Sequence, residues 1–197
     1  MSIQLGAAPE SNFDDPLGLL SDCHRRIERF LRQLLAVTNR GPKLDDDARH
    51  ALEVALRYFR EAAPRHTRDE EDSLFPRLRA SADSQARQAL AIVEALESDH
   101  ATADVAHAEV DRLGMAWLGA GTIDAGSIAR IRQLLTDLQS LYAHHIDIED
   151  NTLFPSAARV LSADSIADVG REMAERRGID LDSLQGFKLR CPTKRQG

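Results

Sequence analysis

The sequence predicts an all-α fold, an up-and-down four-helix bundle followed by one more helix, and three observations carry that expectation. Aromatic residues are only 5% of the chain and β-branched runs are scarce, while alanine, leucine, arginine and acidic residues abound, which favours helix over sheet. Apolar residues recur at spacings of three and four through four long stretches, each bounded by Gly, Pro or Asp. The stretch from His66 through Glu70 to Phe75-Pro76 returns 79 residues later as His145 through Glu149 to Phe154-Pro155, so the chain reads as two similar halves.

Residues 1–15 lack periodicity and are expected to form a loose arm, with Asp14 or Asp15 capping a helix that Pro16 opens. Leu17, Leu20, His24, Ile27, Leu31 and Leu34 make the apolar stripe of that first helix, which should stop near Gly41-Pro42. The second begins at the Asp45 to Asp47 caps and carries Leu52, Leu56, Phe59, Ala63, His66 and Glu70 inward, bent at Pro64 just before His66. A third, from near Ser84, places Val93, Leu96, His100, Ala103, His107, Val110 and Gly114 on its inner face, and Gly114, Gly119 and Gly121 mark the turn that ends it. The fourth runs from near Asp124 through Ile131, Leu135, Leu138, Tyr142, His145, Glu149 and Thr152. The bundle is thus expected over 16–162, with 163–197 forming a fifth helix (166–177) ended by Gly178 and a tail. The short connections near 40–45 and 118–124 make helices one and two, and three and four, antiparallel neighbours.

With 197 residues, 43% of them hydrophobic, the chain can bury a substantial core. A net charge of -7 argues against nucleic-acid or anionic-membrane partners. There is no apolar run long enough to span a membrane and no secretory signal at the start. Cys23 and Cys191 form no CxxC pair, which fits a reducing cytoplasm.

The chemistry lies in the seam. Residues four apart share a helix face, so His66/Glu70 and His145/Glu149 each aim an imidazole and a carboxylate at one spot. His24, after Asp22-Cys23, and His100, after Ser98-Asp99, add one imidazole to each half. A buried carboxylate is costly unless paired or bound to a cation, and nothing basic occupies the seam. A metal pair would neutralise Glu70 and Glu149, and mixed imidazole and carboxylate donors suit iron, manganese or zinc. Two metals, each taking two histidines and sharing bridging glutamates, match this inventory, and the spacing is not the Glu-x-x-His of ferritin-like bundles.

Over residues 16–162 these motifs resemble the hemerythrin superfamily, in its HHE cation-binding branch. The resemblance implies a four-helix bundle holding two non-haem irons, oxo- or hydroxo-bridged, with His24, His66, His100 and His145 as terminal ligands and Glu70 and Glu149 as bridges. Oxygen-carrying hemerythrins have a further histidine four residues after the one on the third helix; here that position is Asp104. The chain is therefore closer to relatives with four histidines and two carboxylates, associated with iron-sulfur cluster repair, nitric oxide or peroxide. The expected function is binding of, or reaction with, a small ligand such as oxygen, nitric oxide or peroxide. Turnover would need an electron donor; the alternative is an oxygen-binding carrier, store or sensor. Among the neighbours, His107 is expected beside the site rather than in it, Asp150 could replace Glu149, and Tyr142 could donate a hydrogen bond into the pocket. Asp69, Glu71 and Asp72 are expected on a solvated face, and His50 and His144 at the surface.

Overall fold

A computed structural model describes residues 11–181 apart from 82, with the side chains of 84–90 also outside the description. The expected tail after 181 and the first ten residues of the arm lie outside the described residues. Helix α1 spans Pro16–Asn39, capped by Asp15, whose side chain accepts from the Gly18 N–H. Helix α2, Asp46–Glu61, starts from an Asp45 cap. The expected bend at Pro64 is a one-residue interruption: α2 ends at Glu61, Ala62 lies between, and Pro64 sits in the first turn of α3, Ala63–Asp69, where its missing N–H costs nothing.

A π-helical turn, Glu70–Leu74, follows α3 and leads into α4, Phe75–Ala80. The same succession closes the second half: α6, Ala125–Ile148, a π-turn over Glu149–Leu153, and α7, Phe154–Val160. In both π-turns the phenylalanine N–H reaches the glutamate carbonyl five residues back, Phe75 to Glu70 and Phe154 to Glu149. The following Pro76 and Pro155 lack an N–H and would crowd the carbonyl four residues earlier, so a widened turn suits them.

Helix α5, Ser84–Ala120, is longer than expected because Gly114 and Gly119 lie inside it; Gly121, at φ 73°, alone of the three makes the turn. Gly114 is where α5 approaches α2, since a Cβ there would meet the Leu56 side chain at 2.6 Å. The last helix, α8, is Ala163–Glu175, capped by Ser162 and so one turn longer at its start than expected, with Gly178 at φ 68° after it.

Helices α1, α2, α5 and α6 pack in a ring, each against its two neighbours. The two connecting loops meet at one end, where Leu44 N–H donates to the Gly121 carbonyl at 2.9 Å, Ile123 N–H to Pro42 at 3.1 Å and the Trp117 indole to Pro42 at 2.8 Å. Two apolar cores fill the bundle. One, between those loops and the middle, includes Ile27, Leu31, Ala63, Ala103 and Tyr142. The other, at the far end, includes Leu20, Leu74, Phe75, Leu96, Leu153 and Phe154, and is closed by Val169 and Met173 of α8. Between Leu20 and Ile27, between Leu96 and Ala103, and between Tyr142 and Leu153, each helix changes from one core to the other; His24, His100 and His145 stand at the change. The 11–15 segment is not loose: Ser11 N–H donates to the Asp22 carboxylate at 2.6 Å.

Candidate metal centre

The six sequence-predicted site residues, His24, His66, Glu70, His100, His145 and Glu149, are all buried and converge in this layer. Their ligand atoms form two groups that share both glutamates: His24, His66, Glu70 and Glu149, and Glu70, His100, His145 and Glu149, each within 4.8 Å. The Glu70 oxygens divide between the groups, with Oε1 at 3.4 Å from His66 Nε2 and 3.9 Å from His24 Nε2, and Oε2 at 3.3 Å from His100 Nε2. Glu149 Oε2 lies 3.1 Å from both His24 Nε2 and His145 Nε2. Both oxygens of both glutamates, with His24 Nε2 and His145 Nε2, are buried without a hydrogen-bond partner. Such orphaned groups carry a large desolvation cost, and a cation between them removes it. The donor set therefore fits a metal pair.

Each Nε2 can face the centre because most of the Nδ1 atoms are held from behind. Asp150 lies 3.0 Å from His24 Nδ1, Glu71 2.8 Å from His100 Nδ1 and Asp99 3.3 Å from His145 Nδ1. A carboxylate at Nδ1 fixes the tautomer and raises the basicity of the opposite nitrogen. These three residues correct two expectations: Asp150 orients His24 rather than replacing Glu149, and Glu71 belongs to the site rather than to a solvated face. The signal was present in the sequence, since an acid follows the glutamate in both copies of the motif. Asp69 is also no surface residue; it is fully buried and bound by Arg176 and Arg177 of the C-terminal segment at 2.8 and 2.6 Å. Asp72 is exposed, as expected.

Burial opposes protonation of His24, His100 and His145, but the pull of the surrounding carboxylates outweighs it, leaving His24 well above its ordinary value, His145 raised and His100 at about 9. At His66 burial prevails and the value falls to about 4. Burial would raise the Glu70 carboxyl, yet the histidines around it, led by His66, hold it well below the usual range.

Among the other residues, His107 stays out of the ligand set: its Nε2 lies 3.1 Å from the Tyr142 hydroxyl and its ring stacks on Phe59 at 4.4 Å. Tyr142 thus spends its hydroxyl on His107 while its ring meets His145 edge-on at 6.2 Å. Asp104, His50 and His144 are exposed, so Asp104 contributes no ligand to the centre. No described helix is long and apolar enough to cross a membrane.

The family model of the hemerythrin HHE cation binding domain matches residues 15–157. The chain belongs to that family. The match covers both histidine-glutamate motifs, and the HHE domain makes this a metal-binding protein. An uncharacterized protein of Haemophilus influenzae (strain Rd) is also similar, at 28% identity over 176 residues, which is 86% of this chain and 94% of that one.

Proposed function

We propose that the protein is a non-haem di-iron protein that binds or reacts with a small ligand of the oxygen, nitric oxide or peroxide class. The observation that carries this reading is the pair of buried four-residue groups sharing both glutamates. His24 and His66 would hold one iron and His100 and His145 the other, with Glu70 and Glu149 spanning the two. Two imidazole nitrogens and two carboxylate oxygens per metal suit iron and leave coordination positions for a small ligand. Bound iron would supply redox chemistry that side chains lack.

The chain's own residues set the conditions. Asp150, Glu71 and Asp99 hold three imidazoles in the tautomer that presents Nε2. Phe154 stacks on His24 at 5.6 Å and Phe75 on His100 at 6.4 Å, which keeps water from that side of the layer. The exposure of Asp104 speaks against the asymmetric ligand set of an oxygen carrier, because the position that would supply the extra ligand faces solvent.

Metal analysis of anaerobically purified protein tests the reading: about two irons per chain are expected, and stoichiometric zinc, or no metal, overturns it. Mixing the reduced protein with oxygen, nitric oxide and peroxide in turn then separates turnover from reversible binding. A coloured oxygen adduct that persists for minutes and releases oxygen under vacuum would favour the carrier instead.

A further inference from the structure

The site has a near two-fold repeat, and its supporting atoms follow it at every position but one. Glu71 follows Glu70 and supports His100; Asp150 follows Glu149 and supports His24. Phe75 stacks on His100 and Phe154 on His24. The two imidazole rings of each half are equally spaced, at centroid distances of 4.9 Å for His24 and His66 and 4.8 Å for His100 and His145, though the first pair meets edge-on at 84° and the second is tilted at 51°. The remaining pair breaks the pattern. Asp99, immediately before His100, supports His145, whereas the residue immediately before His24 is Cys23. Among the described residues His66 Nδ1 is buried with no hydrogen-bond partner.

Neighbouring charge differs in the same sense. Asp69, one turn after His66, is committed to Arg176 and Arg177, and Arg26 Nη1 lies 3.5 Å from Cys23 Sγ. The His100/His145 position therefore has two carboxylate-supported imidazoles, and the His24/His66 position has one, with cationic side chains close by.

We infer that the two metal positions are unequal: the one at His24 and His66 is the exchangeable position, and the one at His100 and His145 is the retentive position, with Asp99 behind His145 as the positioning residue that sets the difference. The inference rests on the di-iron reading. Loss of one carboxylate partner behind a metal-bound histidine typically weakens metal binding about 10–100-fold. The asymmetry would let the protein give up or take up one metal while the other keeps the bundle loaded.

The test is iron release from the anaerobically loaded ferrous protein to the chelator ferrozine, followed with helicity and melting temperature. A chain that takes up fewer than two irons overturns the di-iron reading itself. With two irons loaded, release is expected in two phases of equal amplitude, their rates about 10-fold or more apart. Asp99→Ala, at a half-exposed site that the fold tolerates, should merge the slow phase with the fast one. His66→Ala should abolish the fast phase and leave the slow one, and His145→Ala should do the reverse. A single phase in the unmodified protein, or a slow phase that Asp99→Ala leaves unchanged, overturns the inference while the two irons per chain stand.

Discussion

In the first half of the chain Asp69 precedes the central glutamate and is buried beneath Arg176 and Arg177; in the second half Ile148 holds that position and packs into the far core. Ser73 is buried and receives the Arg176 guanidinium, whereas its counterpart Thr152 is exposed. Arg77 forms a two-pronged pair with Glu172 of α8, and its counterpart is Ser156. The C-terminal helix has thus been fastened to one copy of the motif through charges that the other copy lacks. At the opposite face the contrast reverses. Leu31 and Ala63 of the first half correspond to His107 and Tyr142 of the second, which pair with each other. The centre itself is nearly symmetric, and what surrounds it is not. Ligand geometry tolerates little change, while the elements around it were free to specialise.

The largest effects should come from the part the halves share. Glu70→Leu and Glu149→Leu are each expected to lose at least one metal, since each glutamate belongs to both groups, yet to stay folded because an apolar side chain can replace a buried acid at little cost. Full metal content in both variants would show that neither glutamate spans the pair. Chelation of the unmodified protein should likewise lower its melting temperature, because a ligand set gathered from four helices exists only in the folded state.

The next effect belongs to the first half alone. Asp69→Ala leaves two nearly buried guanidiniums without their carboxylate and is expected to cost about 3 kcal/mol in denaturant unfolding. Replacing the set together, as Asp69→Ile with Arg176→Met and Arg177→Met, imports the second half's apolar solution and should recover most of that loss. If the triple variant is no better than the single one, the arginines serve something other than Asp69.

Smaller still is the pH response of the chelated protein, which distinguishes the halves. His100, with a folded value of about 9, stabilises the fold fully below its unfolded value near 6.5, and that contribution disappears as pH rises through about 9. His145 and His24, also raised, act in the same sense. His66, depressed to about 4, acts in the opposite sense: it favours the fold above the unfolded value, and that contribution is lost as pH falls through about 4. The melting temperature of chelated protein should therefore fall by on the order of 5 °C between neutral and alkaline pH. His100→Asn should flatten the slope, and His66→Asn should not.

The smallest effect concerns His107 and Tyr142. Tyr142→Phe removes the hydroxyl facing the His107 ring nitrogen and should cost about 1 kcal/mol. Adding His107→Leu, the residue of the first half, should return stability close to its starting value. A full-strength penalty in the double variant would give the pair a role beyond satisfying each other.

Much of this was legible before any coordinates, and the reason is periodicity. The three-four rhythm placed the seam histidines and glutamates, and the Asp, Pro and Gly signals narrowed the caps to Asp14 or Asp15, Asp45 to Asp47 and Asp124, of which the fold uses Asp15, Asp45 and Asp124, because helix ends depend on local hydrogen bonding. Gly114 was ambiguous between the inner face, where it lies, and the turn, because a glycine buried where two helices approach looks in sequence like one in a turn. The π-turns escaped notice because a one-residue change in hydrogen-bond register leaves the apolar pattern almost intact.

By itself the sequence determined an all-α bundle of two copies, each bringing two imidazoles and a carboxylate to one level, since residue spacing along a helix is a fixed rotation. Only the tertiary structure decided which acids stand behind which histidines. Glu71 reaches His100, Asp150 reaches His24 and Asp99 reaches His145 across helix boundaries, and Asp69 finds its arginines more than 100 residues away. In the sequence Asp69 and Asp99 look like members of a solvated charge run, and only the recurrence of an acid after the glutamate in both copies points to Glu71 and Asp150. Whether a carboxylate meets water, an arginine or an imidazole is settled by the neighbouring helix, and helix packing brings together residues that no local period relates.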